Sequence, residues 1–145
     1  MKKQITQLEK KQRPIRVLQF GGGVFLRGFF DWMLQKANDA GVYDGNAVIL
    51  RSRTGGTDPL QKQGFNYTHV ARDAAHSDVT VIECIADSVD VPGCYEAYLE
   101  LAKLPTLEVI VSNTTEAGIC FNENDKIDGF EECRESPRAN VKEIE

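Results

Sequence analysis

Three consecutive glycines set between two apolar patterns of different period constrain this chain more than any other feature. "VLQFGGGVFLRGFFDWM" begins at Val17 as a short apolar run, breaks at Gly21, Gly22 and Gly23, and resumes as a bulky amphipathic pattern. Ile15 to Phe20 has strand length and suits a buried strand of a parallel sheet. After the glycines, Phe25, Phe29, Trp32 and Met33 fall at helical spacing, and Leu26, Phe30 and Ala37 widen that stripe. The stripe predicts the face that the helix turns to the core, and Gly41 supplies its C-terminal stop. A second apolar run, Ala47 to Leu50, follows. Strand, helix and strand in this order, within about thirty residues, form the unit of a doubly wound sheet.

The pattern changes further on. "RTGGTDP" is a loop punctuated by Gly55, Gly56 and Pro59. "FNYTHVA" and "DVTVIECIA" read as two strands, and the polar "RDAAHSD" between them predicts an antiparallel hairpin. "CYEAYLELAKL" places Tyr95, Tyr98, Leu99 and Ala102 three or four apart, a helix ending near Pro105. Leu107 to Ser112 is another buried-strand candidate. From Asn122 the chain is polar, with eight acidic residues against four basic. The expected fold is α/β: a Rossmann-like, doubly wound, mostly parallel sheet with an antiparallel hairpin, incomplete at its C-terminal end. Residues 1–14 are expected as a solvated lead-in, 15–121 as a dinucleotide-binding domain, and 122–145 as a polar segment leading to a catalytic domain outside this chain.

Bulk properties exclude several classes. A chain of 145 residues is long enough for one domain with a core. Its formal net charge of -5 leaves no basic excess to neutralise phosphates, so nucleic acid is not an expected partner. No apolar run approaches a membrane span. The N-terminal "MKKQITQLEKKQRP" is basic but lacks the apolar segment of a secretory signal. Cys84, Cys94, Cys120 and Cys133 form no C-x-x-C pair, and His69 and His76 do not complete a metal pattern. No metal is expected. Cys84 and Cys120 read as reduced core residues, and the expected compartment is the cytoplasm.

The glycine loop carries the chemistry. A strand that passes through glycines into a helix presents unpaired N–H groups where the helix dipole is positive, and glycine lets a phosphate approach the backbone. Gly21 and Gly23 match the first two glycines of G-x-G-x-x-G, while Leu26 stands at the third. A plain structural turn is the alternative. Arg27 is either a second phosphate clamp or a solvated arginine. An acid that reads the ribose is expected about 20 residues on, at the end of the second strand. Arg51, Ser52 and Arg53 stand there instead, which taken physically suggests a 2′-phosphate and NADP, or else two surface arginines. In "VSNTTEAGI", Ser112, Asn113, Thr114, Thr115 and Glu116 would cluster at the carboxyl end of a strand, to bond ribose or carboxamide, or else to cap a helix. Nothing has the spacing of a proton-relay pair, so no catalytic residue is assigned.

Together these stretches resemble a known family. "QFGGGVFLRGFFDWM" is similar to the G-x-G-x-F-x-R cofactor loop of the polyol-specific long-chain dehydrogenases, the mannitol dehydrogenase family. "VSNTTEAGI" is similar to the second motif of its uronate branch, the tagaturonate reductases or altronate oxidoreductases. The resemblance runs from about Arg16 to about Lys126. It implies an NAD-linked, two-domain enzyme whose helical C-terminal domain supplies the catalytic lysine and handles a small hexuronate. It implies that Gly21, Gly23, Phe25 and Arg27 line the pyrophosphate site, and that Asn113, Thr114, Thr115 and Glu116 line the nicotinamide side. Gln19, Phe20, Gly22, Val24, Leu26, Arg51 and Ser112 complete the expected cofactor-binding set. The arginines leave NADP open, while the resemblance implies NAD. Alternatives are a fructuronate reductase, a mannitol dehydrogenase of the same family, or a non-catalytic nucleotide-binding module. The oligomeric state is left open.

Overall fold

Two apolar strands with side chains alternating between faces need cover on both sides, and the fold supplies it. The computed structural model describes residues 10–52 and 58–113. β1 (Ile15–Phe20), β2 (Asn46–Arg51), β5 (Ile85–Asp90) and β6 (Val109–Ser112) form a parallel sheet in the order β5-β2-β1-β6. β3 (Tyr67–Arg72) and β4 (Ser77–Ile82) form a separate antiparallel hairpin, inserted between β2 and β5. α1 (Asp31–Asp39) links β1 to β2, and α2 (Tyr95–Ala102) links β5 to β6.

The alternation builds two cores. Val17, Ala47 and Ile49 pack with Leu34 of α1, and with Leu60, Phe65 and Ile82. Leu18, Phe20, Val48 and Leu50 pack on the opposite face with Val91, against Tyr95, Tyr98 and Leu101 of α2. Each fully buried Leu or Ile side chain stabilises the fold by about 1.5–3 kcal/mol. The doubly wound reading of the sequence therefore holds, hairpin included. β6 is an edge strand among the described residues, and its Val109 and Ile110 are exposed.

Two expectations are corrected. "DVTVIECIA" is not one strand. β4 ends at Ile82 and β5 begins at Ile85, in a different sheet. Glu83 and Cys84 make the crossing: Glu83 N–H donates to Gln35 Oε1 (3.0 Å), and Cys84 O accepts from Ala47 N–H (2.8 Å). The polar residues of "IADSVD" hide β5 from a search for apolar runs.

The second correction concerns the helix. Leu26–Phe30 forms a π-helical turn ahead of α1, which widens the spacing on one face by a residue. The buried positions are Leu26, then Asp31, then Leu34, Gln35 and Asn38. Phe25, Phe29 and Met33 are exposed instead of buried. The inward polar groups find partners: Asn38 exchanges two hydrogen bonds with the backbone of Gly45 (2.8 and 3.1 Å), and Gln35 holds Glu83. Gly41, at φ +69°, ends the helix as expected.

Candidate functional site

The chain runs from β1 through β2 to β5 on one side, then returns through α2 to β6 on the other side of β1. The strand order therefore reverses between β1 and β6. In open α/β sheets ligands bind outside the carboxyl ends of the strands at such a reversal. Phe20 lies opposite both Leu50 and Ser112 in register. The glycine loop and Ser112–Asn113 thus leave adjacent strand ends.

Each glycine meets a different condition. Gly21 has φ +91°, a conformation that side chains strain, and its N–H donates to Leu50 O (2.8 Å). A Cβ on Gly22 would meet Ile49 Cγ2 at 3.4 Å. A Cβ on Gly23 would meet nothing within 4 Å, so the space over this residue is open. Gly23 O accepts the first helical bond, from Arg27 N–H (3.1 Å). The amides ahead of Arg27 have no earlier helical carbonyl to bond, and they start a helix whose dipole favours an anion there.

The remaining candidates divide by placement. Val24 and Phe25 are exposed at the loop, Phe25 with its ring 5.4 Å from that of Phe29, and Arg27 is half-buried. Ser112 and Asn113 are exposed, and Arg51 ends β2 opposite Asp90 of β5. Gln19, Phe20 and Leu26 point inward. Phe20 belongs to the core, edge-on to Tyr98, and Gln19 Nε2 donates to Gly21 O (3.1 Å) from beneath the loop. Arg53, Thr114, Thr115, Glu116, Cys120 and the polar tail lie outside the described residues.

Two residues that sequence reasoning passed over sit under the loop. Asp31 is fully buried, and its Oδ2 accepts from the Tyr67 hydroxyl (2.9 Å). The same hydroxyl is 2.7 Å from Arg27 O. Burial raises the Asp31 pKa from 3.8 to about 6, against the hydrogen bond from Tyr67, the amide of Gln19 and the charge of Arg27, which all favour the carboxylate. Burial and the neighbouring carboxylate push the Tyr67 hydroxyl well above its ordinary value. The buried Cys84 thiol donates to Asp31 O (3.4 Å), and burial pushes its pKa up as well. The available signal was the acid inside "FFDWM", a charge in the middle of an apolar stripe. Among the described residues no group of three or more His, Cys, Asp and Glu is placed to hold a metal ion, and no helix is long and apolar enough to cross a membrane.

No family model matches the chain. An altronate oxidoreductase of Halalkalibacterium halodurans is 38% identical over 121 residues, covering 79% of this chain and 24% of the relative. One of Bacillus subtilis is 35% identical over 124 residues, covering 81% and 25%. The chain is homologous to the altronate oxidoreductases. It spans about a quarter of the length of these curated relatives. Among solved structures, a D-sorbitol dehydrogenase in substrate-free form superposes with a TM-score of 0.62 at 22% identity, over 76% of this chain and 24% of that one. Mannitol 2-dehydrogenase of Pseudomonas fluorescens, solved as a ternary complex with NAD and D-mannitol, superposes with a TM-score of 0.65 at 18% identity, over 85% and 25%. These two likenesses show a shared Rossmann-like fold.

Proposed function

We propose that this chain is the dinucleotide-binding part of a cytoplasmic NAD-dependent oxidoreductase that interconverts tagaturonate and altronate. The observation that carries the proposal is the glycine loop at the strand-order reversal, in a chain homologous to altronate oxidoreductases. The residues fit a dinucleotide. Gly21 adopts the backbone that only glycine takes without strain, and Gly23 leaves open space where a pyrophosphate would approach. When bound, the nicotinamide supplies the hydride.

The chain's own residues bind and orient. Gly22, Gly23 and Val24 offer backbone to the pyrophosphate, with Phe25 at the rim, and Arg27 adds a charge-assisted contact. Ser112 and Asn113 stand at the neighbouring strand end, and the resemblance extends that row through Thr114, Thr115 and Glu116 to the nicotinamide side. Gln19, Phe20 and Leu26 support the loop from within. Arg51 ends β2, where the adenosine end is expected, with Asp90 opposite it in register; the resemblance supports NAD over NADP. The substrate and the proton transfer belong to polypeptide outside these residues, which would carry the family's catalytic lysine. Calorimetric titration of the chain with NADH and NADPH tests the reading. Tighter binding of NADH is expected; equal failure of both to bind would sink it.

A further inference from the structure

The buried acid beneath the glycine loop is unexplained by packing. Asp31 Oδ1 and Gln19 Oε1 are both buried, and neither has a hydrogen-bond partner. The amide of Gln19 and the Tyr67 hydroxyl are the side-chain hydrogen-bonding groups acting on the Asp31 carboxyl, and both favour its charged form. The Tyr67 hydroxyl has one proton and two acceptors in reach, Asp31 Oδ2 and Arg27 O. One added proton on Asp31 resolves the Tyr67 shortage. On Oδ2 it is donated to Tyr67, whose own proton then goes wholly to Arg27 O.

We propose that Asp31 is a positioning residue that takes up a proton when a pyrophosphate docks on the glycine loop. The inference rests on the reading of that loop as a dinucleotide site. The groups that face Asp31 set the sign. Gln19 comes from β1 and is neutral. Tyr67 comes from β3, and its hydroxyl stays protonated. Cys84 comes from the β4–β5 link as a neutral thiol. Arg27, on the same helix, is the cation acting on the carboxylate. A pyrophosphate brings negative charge to the loop and pairs with Arg27. Both effects disfavour the Asp31 carboxylate and draw a proton onto it. The protonated cluster then holds the two ends of the loop, Gly21 through Gln19 and the Arg27 carbonyl through Tyr67.

The test is calorimetric titration of the 145-residue chain with NAD⁺ in buffers of different ionisation enthalpy. If docking raises the Asp31 pKa by one unit, uptake is about half a proton near pH 6.5, and binding is about sevenfold tighter at pH 5.5 than at pH 8. Asp31→Asn is expected to bind without proton uptake and with a flat pH profile. Tyr67→Phe removes a bond that favours the carboxylate, so its pH profile is expected to shift to higher pH. NAD⁺ binding without proton uptake, or uptake that persists in Asp31→Asn, would overturn this inference and leave the dinucleotide reading standing. Absence of NAD⁺ binding at every pH would overturn both.

Discussion

Replacing Asp31 with asparagine is expected to stabilise the fold above neutral pH and to leave it nearly unchanged in acid. The folded chain holds this carboxyl at a pKa of about 6, against 3.8 for the ordinary group. The sign follows from proton counts. Between these two values the folded state keeps a proton that the unfolded state has lost, so stability falls as pH rises through the window. The difference is about 2 pH units, and each unit corresponds to about 1.4 kcal/mol. The native protein therefore gives up about 3 kcal/mol between pH 3.8 and pH 7 through Asp31. Asparagine does not ionise. Its carbonyl oxygen can accept from Tyr67, and it leaves no charge to bury. Urea unfolding of parent and variant across pH 4 to 8 reads the effect. With a slope of about 1–2 kcal/mol per molar, the variant's midpoint should exceed the parent's by about 2 M at pH 7.5 and by little at pH 4. A constant offset at both pH values, or a variant less stable at pH 7.5, would rule out a raised Asp31 pKa as the cause. Either would mean that the carboxyl is paired and ionised in the folded state.

Further outcomes follow from the loop and the strand ends. Gly23→Val should weaken NADH binding at least about tenfold while the far-UV spectrum and unfolding midpoint stay near those of the parent, because the added side chain meets open space in the fold and the phosphate in the complex. NADH should bind more tightly than NADPH, and Arg51→Ala with Arg53→Ala should leave that order intact; a parent that prefers NADPH and a double variant that loses the preference would assign the arginines to a 2′-phosphate. The 145-residue chain is expected to show no tagaturonate turnover with NADH in a clean preparation, since the resemblance implies that the catalytic lysine lies in another domain.

Much of this architecture was legible because its signals are local. β1 coincides with the apolar run before the glycines, and Gly41 ends α1 where a left-handed residue was needed. The hairpin followed from alternation around a polar turn, where Asp73 Oδ1 accepts from the amides of Ala75 and His76. What escaped depends on partners distant in the chain. The π-helical turn rotated α1, so Phe25, Phe29 and Met33 face outward while Asp31, Gln35 and Asn38 face inward. A periodicity of 3.6 cannot show such an insertion. β5 was missed because Asp87 and Ser88 interrupt a strand whose pairing with β2 supplies its stability. Asp31 and Tyr67 lie 36 positions apart, and only the tertiary fold makes them a pair. That Ser112 stands opposite Phe20 is a matter of strand order, which the sequence does not show, and the row from Thr114 to Glu116 lies outside the described residues.

If the loop after β1 holds a dinucleotide, its backbone amide resonances report the contact. A ¹⁵N-labelled chain titrated with NADH should show its largest shifts at the amides of Gly21 to Arg27, with a second group at Ser112 and Asn113. The amides of β3 and β4 beyond Tyr67 should move little. Saturable shifts confined to other strand ends or to the hairpin, with the glycine amides unmoved, would place the dinucleotide elsewhere.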